Sequence, residues 1–471
     1  MPERKWHGAS FRDPSGHILT VDGELHRTVS QEYAEHYDRL MTSGLYRAMV
    51  DAGQLVAHDE VSTGLAGSDP VHRLLKPQTI PFVSYPWEWC FSQLRDAALL
   101  TLDIAWKALD HDMVLKDASA FNVQFVGSKP IFIDTLSFES YVEGEPWVAY
   151  RQFCQHFLAP LELIARVHPA MGALSRTHLD GVPLDVADAL LPRASHLRPS
   201  IMLHIHAHRR AQEKYEDARG SARARSVSKR SQYALLDSLR SAVKSCAWEP
   251  RGTEWADYYD ATNYGSCSMD DKTRLVREFL GEIAPTMTWD LGANTGRFSG
   301  LAVEQGAYTI AFDVDPAAIE KAYRAGREAG EARLLPLVMD LMNATPDLGW
   351  DLGERDSFVK RGTPDVVLAL ALVHHLAIAN NVPLPRIARF LSRLAPWLVI
   401  EFVPKSDSQV QRMLASRRDI FPAYNREGFE QAFVECYDFE RVVPIAECER
   451  VIYLMRRRGD GSAGEAPPTP A

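Results

Sequence analysis

Beyond residue 246 the chain alternates short apolar runs of β type with stretches of helical period. The runs cover residues 287–291, 308–312, 335–338, 365–370, 397–402 and 451–455. Strands alternating with helices in this way predict a parallel sheet covered by helices on both faces. Residues 1–208 mix shorter β-like runs with helical patterns and read as an α+β domain. Its plainest helical pattern spans residues 89–109, where Leu94, Ala98, Leu102 and Ala105 recur at helical spacing. Residues 209–245 separate the two parts. They are polar and basic, with Arg209, Arg210, Lys214, Arg219, Arg223, Arg225, Lys229 and Arg230 partly offset by Glu213, Glu216 and Asp217. That stretch predicts a long exposed helix or a linker. Residues 458–471, rich in Gly, Pro and Ala, predict a disordered tail. The expected organisation is an N-terminal domain at 1–208, a basic helical linker at 209–245, a doubly wound α/β domain at 246–457, and the tail.

Composition narrows the function classes. Hydrophobic residues make up 46% of the 471 and charged residues 24%, enough to bury sizeable cores and to exclude whole-chain disorder. With 52 basic and 62 acidic residues the net charge is −10, so nucleic acid is not an expected partner. The stretch beginning at Arg209 is the place where RNA would bind, and a solvated charged face explains it as well. No run of about 18 apolar residues predicts a membrane span, and the first residues lack the apolar core of a signal peptide. The six cysteines form no CxxC pair. A reducing, cytoplasmic setting is therefore expected, without a disulfide framework.

Candidate chemistry concentrates at Thr288-Trp289-Asp290-Leu291-Gly292-Ala293-Asn294-Thr295-Gly296-Arg297-Phe298-Ser299. An apolar strand carries a carboxylate near its end, then a glycine-bearing turn, then a helical pattern. In a doubly wound sheet this first turn lies where ligands bind. The spacing of Gly292 and Gly296 is neither G-x-G-x-x-G nor a P-loop. Asp290 would repel a pyrophosphate and suits a ligand with a positive amine. Asp313 falls where the next strand ends, and an acid there accepts both hydroxyls of a ribose. Pro316 opens the following helix, with Asp315 either capping it or touching ligand. A phosphate-free nucleoside with an ammonium group fits both acids, and S-adenosyl-L-methionine has that description.

On these residues the segment 246–457 resembles the class I S-adenosylmethionine-dependent methyltransferases, which have a Rossmann-like sheet. The resemblance implies that Asp290, Gly292, Ala293, Asn294 and Gly296 hold the methionine part of the cofactor. It implies that Asp313 binds the ribose, with Val314 and Asp315 beside the adenine and Asp340 and Leu341 on the adenine side. Asn294 stands where many members carry Gly, and Asn tolerates unusual backbone angles. Residues 364–376 resemble the family's fourth strand and the loop after it. Methyl transfer needs an aligned nucleophile and, where required, a base. His374 and His375, at that strand end, are the catalytic candidates; capping or packing under the cofactor is their other reading. Glu401 is a second polar candidate at the same sheet edge. Trp255, Tyr258, Tyr259 and Tyr264 form an aromatic cluster suited to covering the site or to plain packing. Lys272 and Arg297 are candidates for an acidic substrate group, and helix-surface positions explain them equally.

In the N-terminal half, Lys116-Asp117-Ala-Ser-Ala-Phe-Asn122 precedes a short hairpin ending at Asp134. One Asp, an Asn and a further Asp could supply a base and two oxygen ligands for Mg²⁺. The set resembles the catalytic lobe of protein-kinase-like and aminoglycoside-kinase-like phosphotransferases, which implies a base role for Asp117 and metal-ligand roles for Asn122 and Asp134. Leu115 replaces the usual His, Thr135-Leu136 replaces Phe-Gly, and residues 1–85 carry no convincing glycine-rich phosphate loop or strand lysine. A degenerate kinase-like domain for substrate binding or scaffolding is the reading adopted. His204-Ile-His206-Ala-His208 would align three imidazoles on a strand, but a helix is favoured there. Over most of its length the chain resembles a bacterial group of two-part methyltransferases that includes nodulation and surface-glycan modification proteins. The phrases that carry this include Ser84-Tyr-Pro-Trp-Glu-Trp89 and Glu401-Phe-Val-Pro-Lys-Ser-Asp407. It implies O-methylation of a glycan or small metabolite. RNA methylation through the basic stretch and a Mg-ATP-dependent kinase activity in the N-terminal half are the alternatives.

Overall fold

The computed structural model describes residues 3–66, 70–207, 226–250, 266–415 and 417–459. The chain divides into two compact units. One comprises Met1–Arg251 with the segments Tyr323–Ala332 and Thr345–Phe358; the other comprises Gly252–Ala322, Arg333–Ala344 and Val359–Ala471.

The first unit opens with five strands, β1 (Arg4–Trp6), β2 (Ile18–Val21), β3 (Glu24–Ser30), β4 (His58–Val61) and β5 (Val71–Pro77). They form an antiparallel sheet in the order β1-β2-β3-β5-β4. Asp22-Gly23 makes the β2–β3 turn with φ of 51° and 84°. Positive φ at both positions is what a two-residue hairpin of matching twist requires. The helix Phe91–Asp110 follows, close to the 89–109 expected, and its Leu94, Ala98, Leu102 and Ala105 are buried. Two small antiparallel pairs come next. One is β6 (Met113–Leu115) with β9 (Phe138–Ser140), the other the hairpin β7 (Val123–Val126) and β8 (Lys129–Phe132). Part of the basic stretch, Lys229–Ser245, is a helix that buries Leu236, Leu239, Ala242 and Val243. Its apolar residues recur at helical spacing and pack on the helix Phe91–Asp110, so charge density alone understated its burial. Residues 209–225 and the tail from 460 lie outside the described residues.

The second unit is the doubly wound sheet. Its strands are β10 (Met287–Leu291), β11 (Tyr308–Asp313), β12 (Leu334–Val338), β13 (Val366–Ala369), β14 (Trp397–Phe402), β15 (Tyr437–Pro444) and β16 (Val451–Arg457). The order is β12-β11-β10-β13-β14-β16-β15. β10 to β14 are parallel, and β16 runs antiparallel to both β14 and β15. Six of the seven were apolar runs in the sequence because central strands are buried on both faces. β15 was missed: its sequence YDFERVVP is largely exposed at the sheet edge and carries a bulge near Phe439. The chain runs outward from β10 to β12, then returns to the other side of β10 for β13. That reversal opens a crevice at the carboxyl ends of β10 and β13, where doubly wound sheets take ligands. Among the described residues no helix is long and apolar enough to cross a membrane.

Candidate cofactor site

The turn after β10 is tied to the end of β11. The Gly292 and Ala293 amides donate to the Phe312 carbonyl at 2.8 and 3.0 Å. Asn294 N–H donates to Asp313 Oδ2 at 2.7 Å, and Asp315 N–H to Asp313 Oδ1 at 2.9 Å. These bonds bring the two carboxylates predicted from sequence, Asp290 and Asp313, to one crevice. Gly292 has φ 77°, and an added Cβ would lie 3.3 Å from Leu372 Cδ1. Asn294 sits in the same left-handed region at φ 52° and stabilises itself by accepting the Thr295 N–H on Oδ1 at 2.7 Å. Asp315 caps the helix at Pro316, accepting the Ala317 N–H at 2.8 Å.

The crevice is a cavity of about 380 Å³, within the range of small-ligand sites. Asp290, Asp313 and Asp340 line it, as do the backbone turn Gly292, Ala293 and Asn294 and the side chains of Val314 and Leu341. Gly296 does not line it; at φ 84° it starts the helix Arg297–Glu304 instead. Sequence reasoning missed Met269, Phe298, Leu372 and Asn380, which also face the cavity. Met269 and Asn380 lie outside any motif, whereas Phe298 and Leu372 fall within the turn and fourth-strand segments, where neither carries a role of its own. Asp340 accepts the Met342 N–H at 2.9 Å and so holds the short turn Leu341–Asn343.

Asp290 is 2% exposed. Burial pushes its carboxyl up to about 6, although the Ser299 hydroxyl donating at 2.6 Å acts the other way. Burial also raises Asp313, against the backbone N–H donors on both its oxygens. Lys272, on the helix Ser266–Ile283, reaches the cavity wall and donates to Glu401 Oε2 at 2.6 Å. Arg450 holds Glu401 Oε1 at 3.2 Å and Asp407 Oδ2 at 2.8 Å. Lys272, Glu401 and Arg450 are all buried, so Lys272 and Glu401 are an internal charge pair and not free groups for substrate. Arg297 is exposed on its helix.

The two histidines part roles. His375 lines the cavity, whereas His374 is 1% exposed and does not. Their ring centroids are 4.2 Å apart. Burial lowers His375 to about 4 and His374 well below the usual histidine value, the latter also through the neighbouring His375. Both rings are neutral at pH 7. Among the described residues, His374 Nδ1 is buried without a partner. Trp255, Tyr258, Tyr259 and Tyr264 lie outside the described residues.

In the first unit, Asp117, Asn122 and Asp134 are brought together. Asn122 Nδ2 donates to the Asp117 carbonyl at 3.4 Å and to Ser137 Oγ at 3.2 Å; Ser137 Oγ donates to Asp134 Oδ2 at 2.5 Å. Asp134 Oδ1 also pairs with Arg27 of β3 at 3.0 Å, and the same guanidinium pairs with Asp13. Burial raises the Asp117 carboxyl, and the charge of Asp134 adds to the rise. A guanidinium therefore already neutralises the acid that the kinase resemblance gives to a metal.

No family model matches the chain. Several solved methyltransferases are similar to part of the chain. Magnesium protoporphyrin IX methyltransferase from Synechocystis PCC 6803, with bound SAH, is 17% identical at TM-score 0.30, covering 41% of this chain and 84% of that one. The N-methyltransferase NodS from Bradyrhizobium japonicum WM9 is 11% identical at TM-score 0.30, covering 41% and 98%. The bifunctional kinase-methyltransferase WbdD is 15% identical at TM-score 0.30, covering 41% and 40%. A sequence relative extends over both units: the nodulation protein NoeA of Rhizobium meliloti (strain 1021) is 36% identical over 463 residues, 95% of either chain. At that identity and coverage, the chain belongs to the family of the nodulation protein NoeA.

Proposed function

We propose that the second unit binds S-adenosyl-L-methionine and transfers its methyl group to a hydroxyl of a glycan or small metabolite. The observation that carries this reading is the pair Asp290 and Asp313, both buried and both lining one cavity at the sheet's switch point. A site with two buried carboxylates and no phosphate loop favours a cationic nucleoside with free ribose hydroxyls. Asp290 and the turn Gly292–Asn294 would face the methionine part, Asp313 the ribose, and Asp340 with Leu341 the adenine. Bound there, the cofactor supplies a methyl group already activated by a positive sulfur.

The chain's own task is alignment and proton handling. His375, neutral and on the cavity wall, accepts the proton of the attacking hydroxyl. His374, packed behind it, fixes its ring. The glycan or metabolite acceptor rests on the whole-chain resemblance.

Calorimetry with S-adenosylmethionine, ATP and RNA on the full chain tests the reading. S-adenosylmethionine should bind and Asp313→Ala should abolish that binding. Unchanged affinity in Asp313→Ala would overturn the ribose assignment. Comparing metabolites of deletion and wild-type cells then identifies the acceptor as a compound lighter by one methyl group in the deletion strain.

A further inference from the structure

The alternating histidines near residue 204 are not used by the cofactor site. His204 and His206 lie on the π-helix Met202–Ala207 and face different partners, and His208 lies outside the described residues. His204 sits between the Tyr150 hydroxyl at 2.8 Å and Ser238 Oγ at 2.9 Å. His206, 0% exposed, hydrogen-bonds Asp188 through Nδ1 and lies 2.9 Å from Ser195 Oγ through Nε2. His196, on the turn Arg193–Leu197, stacks its ring on that of His206, with centroids 3.9 Å apart and planes 19° from parallel. Ligand atoms of Asp188, His196 and His206 lie within 4.8 Å of one another.

A serine, a histidine and an aspartate in hydrogen-bonded series invite a nucleophile reading. Ser195 is 2% exposed, however, so no acyl group reaches its oxygen. His196 is exposed, and a small ion has access from that side. Two imidazoles and one carboxylate are a donor set that favours Zn²⁺ and neighbouring transition cations over Mg²⁺ or Ca²⁺.

We propose that Asp188, His196 and His206 form a three-ligand site for a divalent transition cation of the Zn²⁺ type. The ion clips together the helix Leu184–Leu190, the turn Arg193–Leu197 and the π-helix, and its fourth position opens to water on the His196 side. Metal–nitrogen bonds of about 2.0–2.1 Å set ligand atoms roughly 3.3 Å apart. The exposed His196 turns about its side-chain torsions to close that distance, and the ion takes the lone pair of His206 Nδ1. As the ion binds, the proton on Nδ1 moves by exchange with solvent to Nε2, so the ring keeps one N–H. His206 Nε2–H then donates to Ser195 Oγ, which fixes the ring for ligation.

The test uses the full chain, freed of metal with a chelator and titrated with Co²⁺ while visible d–d absorption is followed. One equivalent should bind, without the near-ultraviolet thiolate band that a cysteine such as exposed Cys267 would give. His196→Ala and Asp188→Asn, at positions with solvent access, should keep the far-ultraviolet dichroism of wild type and lose the Co²⁺ band. Zn²⁺ should displace Co²⁺ and raise the Tm of wild type but not of either variant. Ser195→Ala should bind roughly 10–100-fold more weakly. The proposal fails if wild type binds no stoichiometric Co²⁺, if a thiolate band dominates, or if His196→Ala binds as wild type does.

Discussion

Replacing Asp290 with Asn removes a buried charge that the ligand-free site holds at a cost. Each pKa unit corresponds to 1.36 kcal/mol. Lifting Asp290 from 3.8 to about 6 therefore costs the ionised, ligand-free protein about 3 kcal/mol at pH 7.5. The sign follows from linkage. A carboxyl whose folded pKa is raised favours folding below its unfolded value, and that contribution is lost as pH rises through about 6. The cost of ionisation is thus full at pH 7.5, roughly half as large at pH 5 and nearly gone at pH 4. Asp290→Asn should be more stable than wild type by about 1–3 kcal/mol at pH 7.5, since the amide oxygen still accepts the Ser299 hydroxyl. The difference should shrink by about half at pH 5. Urea denaturation of both proteins at the two pH values reads this directly. The same variant should lose S-adenosylmethionine binding, while wild-type affinity should fall about tenfold from pH 7 to pH 5 as the acid takes up its proton. If Asp290→Asn gains nothing at pH 7.5, or its gain is the same at both pH values, Asp290 is not a strained, ligand-facing acid and the cofactor reading loses its electrostatic basis.

Other expectations follow from neighbouring groups. Gly292→Ala places a side chain at φ 77° against Leu372; it should lower stability by about 1–2 kcal/mol and weaken cofactor binding by calorimetry. Lys272→Met removes one of the two cations that hold buried Glu401, and should cost about 3 kcal/mol in urea denaturation. A well-tolerated Lys272→Met would mean the pair is not structurally required. Because His375 is lowered to about 4, kcat at saturating substrate should show no ionisation near pH 6.5; a limb there would point to a different base. His375→Ala should reduce kcat with little change in cofactor affinity, separating proton handling from binding.

The parallel core of the sheet was legible because strands buried on both faces are written as continuous apolar runs. β10, β11 and β14 follow the runs at 287–291, 308–312 and 397–402 within a residue. β15 was not legible because its side chains largely face water and its run is broken by Asp438, Glu440 and Arg441. The burial of the helix Lys229–Ser245 was hidden by the opposite effect. Its charged face fills the composition of the stretch, while Leu236, Leu239 and Val243, which decide its packing, recur only at helical spacing.

The same distinction applies within the site. Asp290, Gly292 and Asn294 were readable because one short turn imposes their chemistry locally, and Asp313 because it closes the next strand along. The network behind them was not. Lys272 comes from the helix before β10, Glu401 from β14, and Arg450 from the residue just before β16. Only the strand order β10-β13-β14-β16 brings these three together, and no local pattern contains that order. The network adds to the Ser299 hydroxyl bond in offsetting the burial of Asp290. Lys272 sits on the cavity wall with its charge committed to Glu401, yet its field still lowers Asp290. Glu401 is held in turn by Arg450, which also pairs with Asp407. That leaves Asp290 partly compensated before any ligand arrives, with burial still holding its carboxyl up at about 6.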